Sequence, residues 1–112
     1  MDNVKDDKFY LEKVVLDIKF LIKHTQNITR EELEKDEVLL DSIMFRFIQI
    51  SELIKKLTYE FRIKNSTIPW KNIIGLKNKM IHEYGNIDLD IIYSTLKKDL
   101  FEILYLLQSS IE

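Results

Sequence analysis

Apolar residues recur at intervals of three and four along most of this chain, and residue types that interrupt helices are confined to Pro69, Gly75 and Gly85. That pattern leaves little room for a sheet. Leu11, Val14, Val15, Ile18, Leu21 and Ile22 form one stripe and predict a first helix over residues 4–25. Thr29 with Glu32 three residues on reads as a capping box that opens a short helix over 30–35, and its acidic run is a solvated face. Leu40, Ile43, Phe47, Ile50, Ile54, Leu57 and Phe61 predict a long helix over 37–62. Pro69 suits a first helical turn, where its missing N–H costs nothing, so a further helix is expected over 69–84. Gly85 then supplies a stop and Asp88 an N-cap for a last helix over 89–110, striped by Ile92, Leu96, Leu100, Ile103, Leu104 and Leu107. The expected fold is all-α, an antiparallel four-helix bundle with one extra short helix, in a single domain spanning residues 1–112.

The absence of cysteine excludes a disulfide framework, a thiolate nucleophile and thiolate metal ligands. With only two histidines a zinc site is not expected, no Gly-rich phosphate loop is present, and Ser42, Ser51 and Ser66 have no histidine near them in sequence. No cofactor is therefore expected. No apolar run is long enough to span a membrane and no signal-peptide core precedes the first helix, so a soluble cytoplasmic protein is the expectation. A net charge of −2 argues against broad, charge-driven nucleic-acid binding, which needs many phosphate contacts. The local balance differs: Lys71, Lys77 and Lys79 fall in an acid-free stretch, with Lys55, Lys56, Arg62 and Lys64 just before them. These cations either solvate helix faces or seat one or a few phosphates.

The densest chemistry is Lys77-Asn78-Lys79-Met80-Ile81-His82-Glu83-Tyr84, where an imidazole that can move protons at neutral pH stands among cations that favour an anionic substrate. On a regular helix Lys77 and His82 would project about 140° apart, while Asn78 and Lys79 would share the side of His82. Either the helix loosens before Gly85, or a second subunit completes the site. His24, at the end of the first helix, suits the helix dipole and a structural role, and Trp70 and Ile73 suit the core.

With its lead-in from Ile68 to Leu76, this segment resembles the signature of the HepT-like proteins of the HEPN superfamily, whose usual form is Arg-x-x-x-x-His-x-Tyr. The resemblance extends to residues 41–52 and 88–93 and covers roughly residues 8–108. Lys77 stands where the family has Arg, which keeps the charge and loses the planar fork that grips phosphate. The resemblance implies a metal-independent endoribonuclease toxin with His82, Lys77 and Asn78 as catalytic residues, while the cation cluster offers Lys79 and Lys71 as phosphate contacts. It also implies a homodimer with two motif segments facing each other. The implied partner, besides RNA, is an MNT-type nucleotidyltransferase antitoxin that silences the toxin by placing AMP on Tyr84. An alternative of another class is a catalytically weak binding subunit that recruits or regulates a nucleotidyltransferase. Arg46 and Glu52 match family positions, and ion pairs with other helices would explain them equally well.

Overall fold

The computed structural model describes residues 6–82 and 86–111. Helix α1 (Asp7–Thr25) opens where the Asp6 carboxylate accepts from Phe9 N–H at 2.9 Å, so it starts three residues later than the apolar stripe suggested. Leu11, Val14, Val15, Ile18 and Leu21 are buried on its inner face, as the spacing requires. The expected capping box is present ahead of α2 (Arg30–Lys35): Glu32 N–H donates to Thr29 Oγ1, and Thr29 N–H donates to Glu32 Oε1. That returned backbone hydrogen bond from Thr29 holds the Glu32 carboxyl below its ordinary 4.5. The solvated acidic helix still contributes Leu33, which is fully buried.

Helix α3 (Glu37–Lys55) runs down the centre of the molecule against α1. Buried Asp17 of α1 accepts from Arg46 Nη1 at 2.7 Å and from Gln49 Nε2 at 2.8 and 2.9 Å, and the Arg46 guanidinium lies 3.7 Å from the centre of the Phe20 ring. Arg46 is thus a structural residue, and its partner is an acid on the mostly apolar inner face of α1.

The expected long helix over 37–62 is two helices. α3 stops at Lys55, and Thr58 begins α4 (Tyr59–Lys64) by accepting from Phe61 N–H. Asp7 fixes that corner: its carboxylate receives Thr58 N–H and Thr58 Oγ1–H, both at 2.7 Å. Leu57 and Phe61 continue the apolar stripe past a break that the stripe does not reveal.

The helix expected over 69–84 is likewise divided, into α5 (Trp70–Ile74) and α6 (Leu76–Met80), with Gly75 between them. A side chain at Gly75 would bring Cβ to 3.3 Å from the Lys71 carbonyl oxygen, a tight approach that glycine avoids. Ser51 of α3, fully buried, donates Oγ–H to the Ile74 carbonyl at 3.0 Å and satisfies the acceptor next to the break. Trp70, Ile73, Leu76 and Met80 turn inward against α3.

Asp88 caps α7 (Leu89–Ser94), which continues through one π-helical turn (Thr95–Asp99) into α8 (Leu100–Ile111). Where an uninterrupted helix was expected, the wide turn contains Lys97, whose Nζ donates to the Thr25 and Gln26 carbonyls at 2.7 and 3.1 Å and closes the C-terminal end of α1. Thus α1, α3, the α5–α6 pair and the α7–α8 run form an all-α bundle, with α2 and α4 as short additions. Among the described residues no helix is long and apolar enough to cross a membrane.

Candidate active site

Met80 is fully buried, and after it the backbone changes state: Ile81 is extended, at φ −109° and ψ 124°. The chain then returns on itself. His82 N–H donates to the Asn86 carbonyl at 2.6 Å, Asp88 N–H donates to the Met80 carbonyl at 2.7 Å, and Ile81 pairs antiparallel with Ile87. His82 therefore does not ride on α6 but stands on a loop whose two arms are held together by backbone hydrogen bonds. The helical-wheel relation of His82 to Lys77, Asn78 and Lys79 does not apply, because the helix ends at Met80, before Gly85.

The loop leaves the imidazole accessible, with 56% of the side chain exposed, and sets Nε2 3.6 Å from Asp88 Oδ2. That is ion-pair range and too long for a hydrogen bond. The other Asp88 oxygen accepts from Ile91 N–H at 3.1 Å to cap α7. One carboxylate therefore anchors a helix and faces the histidine. The sequence identified Asp88 as a cap and missed its second role; the only available signal was that a capping aspartate keeps one oxygen free.

Lys77 lies on the α3 side of α6, half-buried, with Nζ 4.0 Å from Glu52 Oε2. Glu52 is engaged more closely by Lys55, at 3.1 Å, and chiefly that hydrogen bond and charge, with smaller help from Lys77 and Lys56, hold its carboxyl below the ordinary value. Among the described residues no hydrogen bond or ion pair joins Lys77 to His82. Asn78 and Lys79 are exposed. Lys79 borders a cavity of about 220 Å³ that also carries Asp99 and Glu102, so its surroundings are acidic. Lys71 borders a different groove, between α4 and α5. The lysines close in sequence thus occupy separate surroundings. Tyr84, the candidate AMP acceptor, and Gly85, the expected helix stop, lie outside the described residues. His24 is exposed in the last turn of α1 against Phe20, with ring centres 4.3 Å apart.

Residues 16–109, which hold α3, the site loop and Asp88, match the family described as ribonuclease HepT-like. The chain belongs to that family. This HepT-like chain is 37% identical over 100 residues to a protein of Caldanaerobacter subterraneus subsp. tengcongensis provisionally named an RNase, a match covering 89% of each chain. It is 32% identical over 96 residues to a longer protein of Methanocaldococcus jannaschii named a gamma-glutamylcyclotransferase and, provisionally, an RNase. There the match covers 86% of this chain and 43% of the other. A protein of Thermococcus cleftensis, provisionally named a ribonuclease HepT, is 25% identical over 86% of this chain and 87% of its own. No solved structure gives a significant match.

Proposed function

We propose that this HepT-like chain is an endoribonuclease that cuts RNA through attack of a 2′-hydroxyl on the adjacent phosphorus. The observation that carries this reading is the release of His82 from α6 onto a paired loop, where the imidazole is accessible and Asp88 Oδ2 lies 3.6 Å away. His82 takes the 2′-hydroxyl proton, the 2′-oxygen bonds to phosphorus, and the bond from phosphorus to the 5′-oxygen breaks. The leaving oxygen takes up a proton, supplied by the second His82 of a homodimer. The products are a 2′,3′-cyclic phosphate and a free 5′-hydroxyl. Lys77 stabilises the charge that builds on the phosphate oxygens, with Asn78 beside it and Lys71 and Lys79 as outer phosphate contacts.

In this scheme protein groups supply proton transfer and charge, so no metal has a step to perform. Cleavage is expected to persist in EDTA and to leave cyclic phosphate ends. Cutting that depends on a divalent cation would overturn the mechanism. The wider role we propose, on the motif resemblance, is that of a toxin paired with an MNT-type nucleotidyltransferase, which adds AMP to Tyr84. Added negative charge and bulk two residues from His82 would repel the RNA backbone and obstruct the loop. Intact-mass measurement after co-expression with such an enzyme tests this step, and an unmodified but silenced protein would replace modification with simple complex formation.

One observation favours the alternative of a catalytically weak binding subunit that recruits or regulates a nucleotidyltransferase. Lys77, which lacks the guanidinium fork, is also drawn toward Glu52. Lys77→Arg separates the two: a ribonuclease keeps or gains activity, whereas a binding subunit gains none.

A further inference from the structure

Charge is unevenly distributed along this acidic chain. Residues 55–79 hold seven lysines or arginines against Glu60 alone, a formal +6, which leaves −8 on the remainder of a protein of net charge −2. Within that stretch a groove of about 410 Å³ runs between α4 and α5, and none of its lining residues is acidic. Tyr59, Arg62 and Ile63 of α4 form one wall, and Trp70, Lys71 and Asn72 of α5 contribute to the other. The walls are fixed to each other: Trp70 Nε1–H is shared between the Arg62 and Asn65 carbonyls at 3.1 and 3.2 Å, and the Phe61 and Trp70 rings lie 6.1 Å apart.

The groups facing this groove are largely uncommitted. Tyr59 is 72% exposed and has neither a ring contact nor a hydrogen bond among the described residues. The carbonyl of Arg62 is used by Trp70, but its guanidinium has no protein acceptor among the described residues, and Nε is buried without one. Lys71 is exposed and unpaired among the described residues. An accessible aromatic face beside two cations and an amide, with no carboxylate among them, is complementary to an unpaired nucleotide: the base stacks and the phosphate is neutralised. A base within a duplex cannot present its face in this way.

We infer that the α4–α5 groove is a subsite for one unpaired nucleotide of single-stranded RNA outside the scissile linkage, with its base on Tyr59 and its phosphate between Arg62 and Lys71. This rests on the ribonuclease reading, because α5, Gly75 and α6 connect the groove directly to Lys77 and the His82 loop.

The test is fluorescence anisotropy with a labelled single-stranded RNA carrying 2′-O-methyl groups throughout, which lack the attacking hydroxyl, so that binding is read without cleavage. Tyr59→Ala and Lys71→Gln are each expected to weaken binding about tenfold, within the range for losing one base stack or one phosphate contact. Lys71→Gln should also lower the salt slope by about one. Lys19→Gln on α1 is the charge control and should leave affinity unchanged, and Tyr59→Ala should not alter binding of duplex RNA. Affinity within about twofold of wild type in both groove variants, or an equal loss in Lys19→Gln, would overturn the subsite. Cutting of unmodified RNA is measured in parallel. Groove-dependent binding without cutting keeps the subsite and removes the ribonuclease reading, whereas cutting with groove-independent binding does the reverse.

Discussion

Helix α3 meets a charged neighbour at two places, its midpoint and its last turn, and the two meetings differ in commitment. Toward α1, Arg46 reaches an Asp17 carboxylate whose side chain is only 4% exposed, at 2.7 Å, with Gln49 filling the remaining acceptor sites. Toward α6, Glu52 and Lys77 stand 4.0 Å apart with side chains 59% and 25% exposed, and Glu52 is already held by Lys55. The first contact commits the buried Asp17 carboxylate to two side-chain donors. The second leaves a cation close to the core but unsatisfied, which is the condition a phosphate-binding group must meet before substrate arrives. The His82–Asp88 contact, at 3.6 Å, belongs to the second kind.

The sharpest way to break this contrast is to make the closed pair costly and show that chemistry is indifferent to it. Asp17→Ala is expected to lower stability by about 3 kcal/mol, the lower end for breaking a buried pair, because Arg46 is partly exposed and keeps some hydration. Urea unfolding checks this, and RNA cleavage per folded molecule should be unchanged. Equal losses of stability in Asp17→Ala and Glu52→Ala would erase the distinction.

Asp88→Asn sharpens the other side. Asparagine caps a helix about as well as aspartate, so α7 should remain capped while the charge beside His82 disappears. Cleavage is expected to fall roughly tenfold, less than for loss of the general base itself, with no change in melting temperature. A melting shift with full activity would reduce Asp88 to a cap.

The smallest effect concerns a region that only builds the frame. Thr29→Ala should cost about 1 kcal/mol through the lost N-cap, with cleavage unaffected. Its partner Glu32 has a depressed pKa in the folded state, so its contribution is present above the unfolded value and is lost as pH falls through the lower, folded value. The difference in melting temperature between wild type and Glu32→Gln should therefore shrink from about pH 7 to about pH 3.

These frame elements are also the ones that sequence alone resolved. The stripe of α1, the capping box at Thr29 and the cap at Asp88 depend on residues a few positions apart, and all three are present as expected. What sequence did not resolve depends on partners that lie outside the apolar stripe. The stripe of α3 continues through Leu57 and Phe61, yet Asp7, 51 residues away, ends the helix by binding Thr58. Nearer in sequence, the hydrogen bonds from His82 N–H to the Asn86 carbonyl and from Asp88 N–H to the Met80 carbonyl hold His82 off α6, and apolar spacing does not encode them either. Apolar spacing reports which residues are buried and not whether the helix between them is continuous. The candidate residues His82 and Lys77 were legible as residue types in a motif, whereas Asp88 opposite His82 required the fold.

Cleavage of single-stranded RNA in EDTA by wild type and by His82→Ala, measured alongside their melting temperatures, tests His82 as the group that moves the proton. His82 is exposed, on a loop closed by backbone hydrogen bonds that the substitution leaves in place. Its role in proton transfer predicts unchanged melting, a fall in cleavage of about 10²-fold or more, and cyclic phosphate ends on the wild-type products. Full cleavage by His82→Ala with the same ends would contradict it.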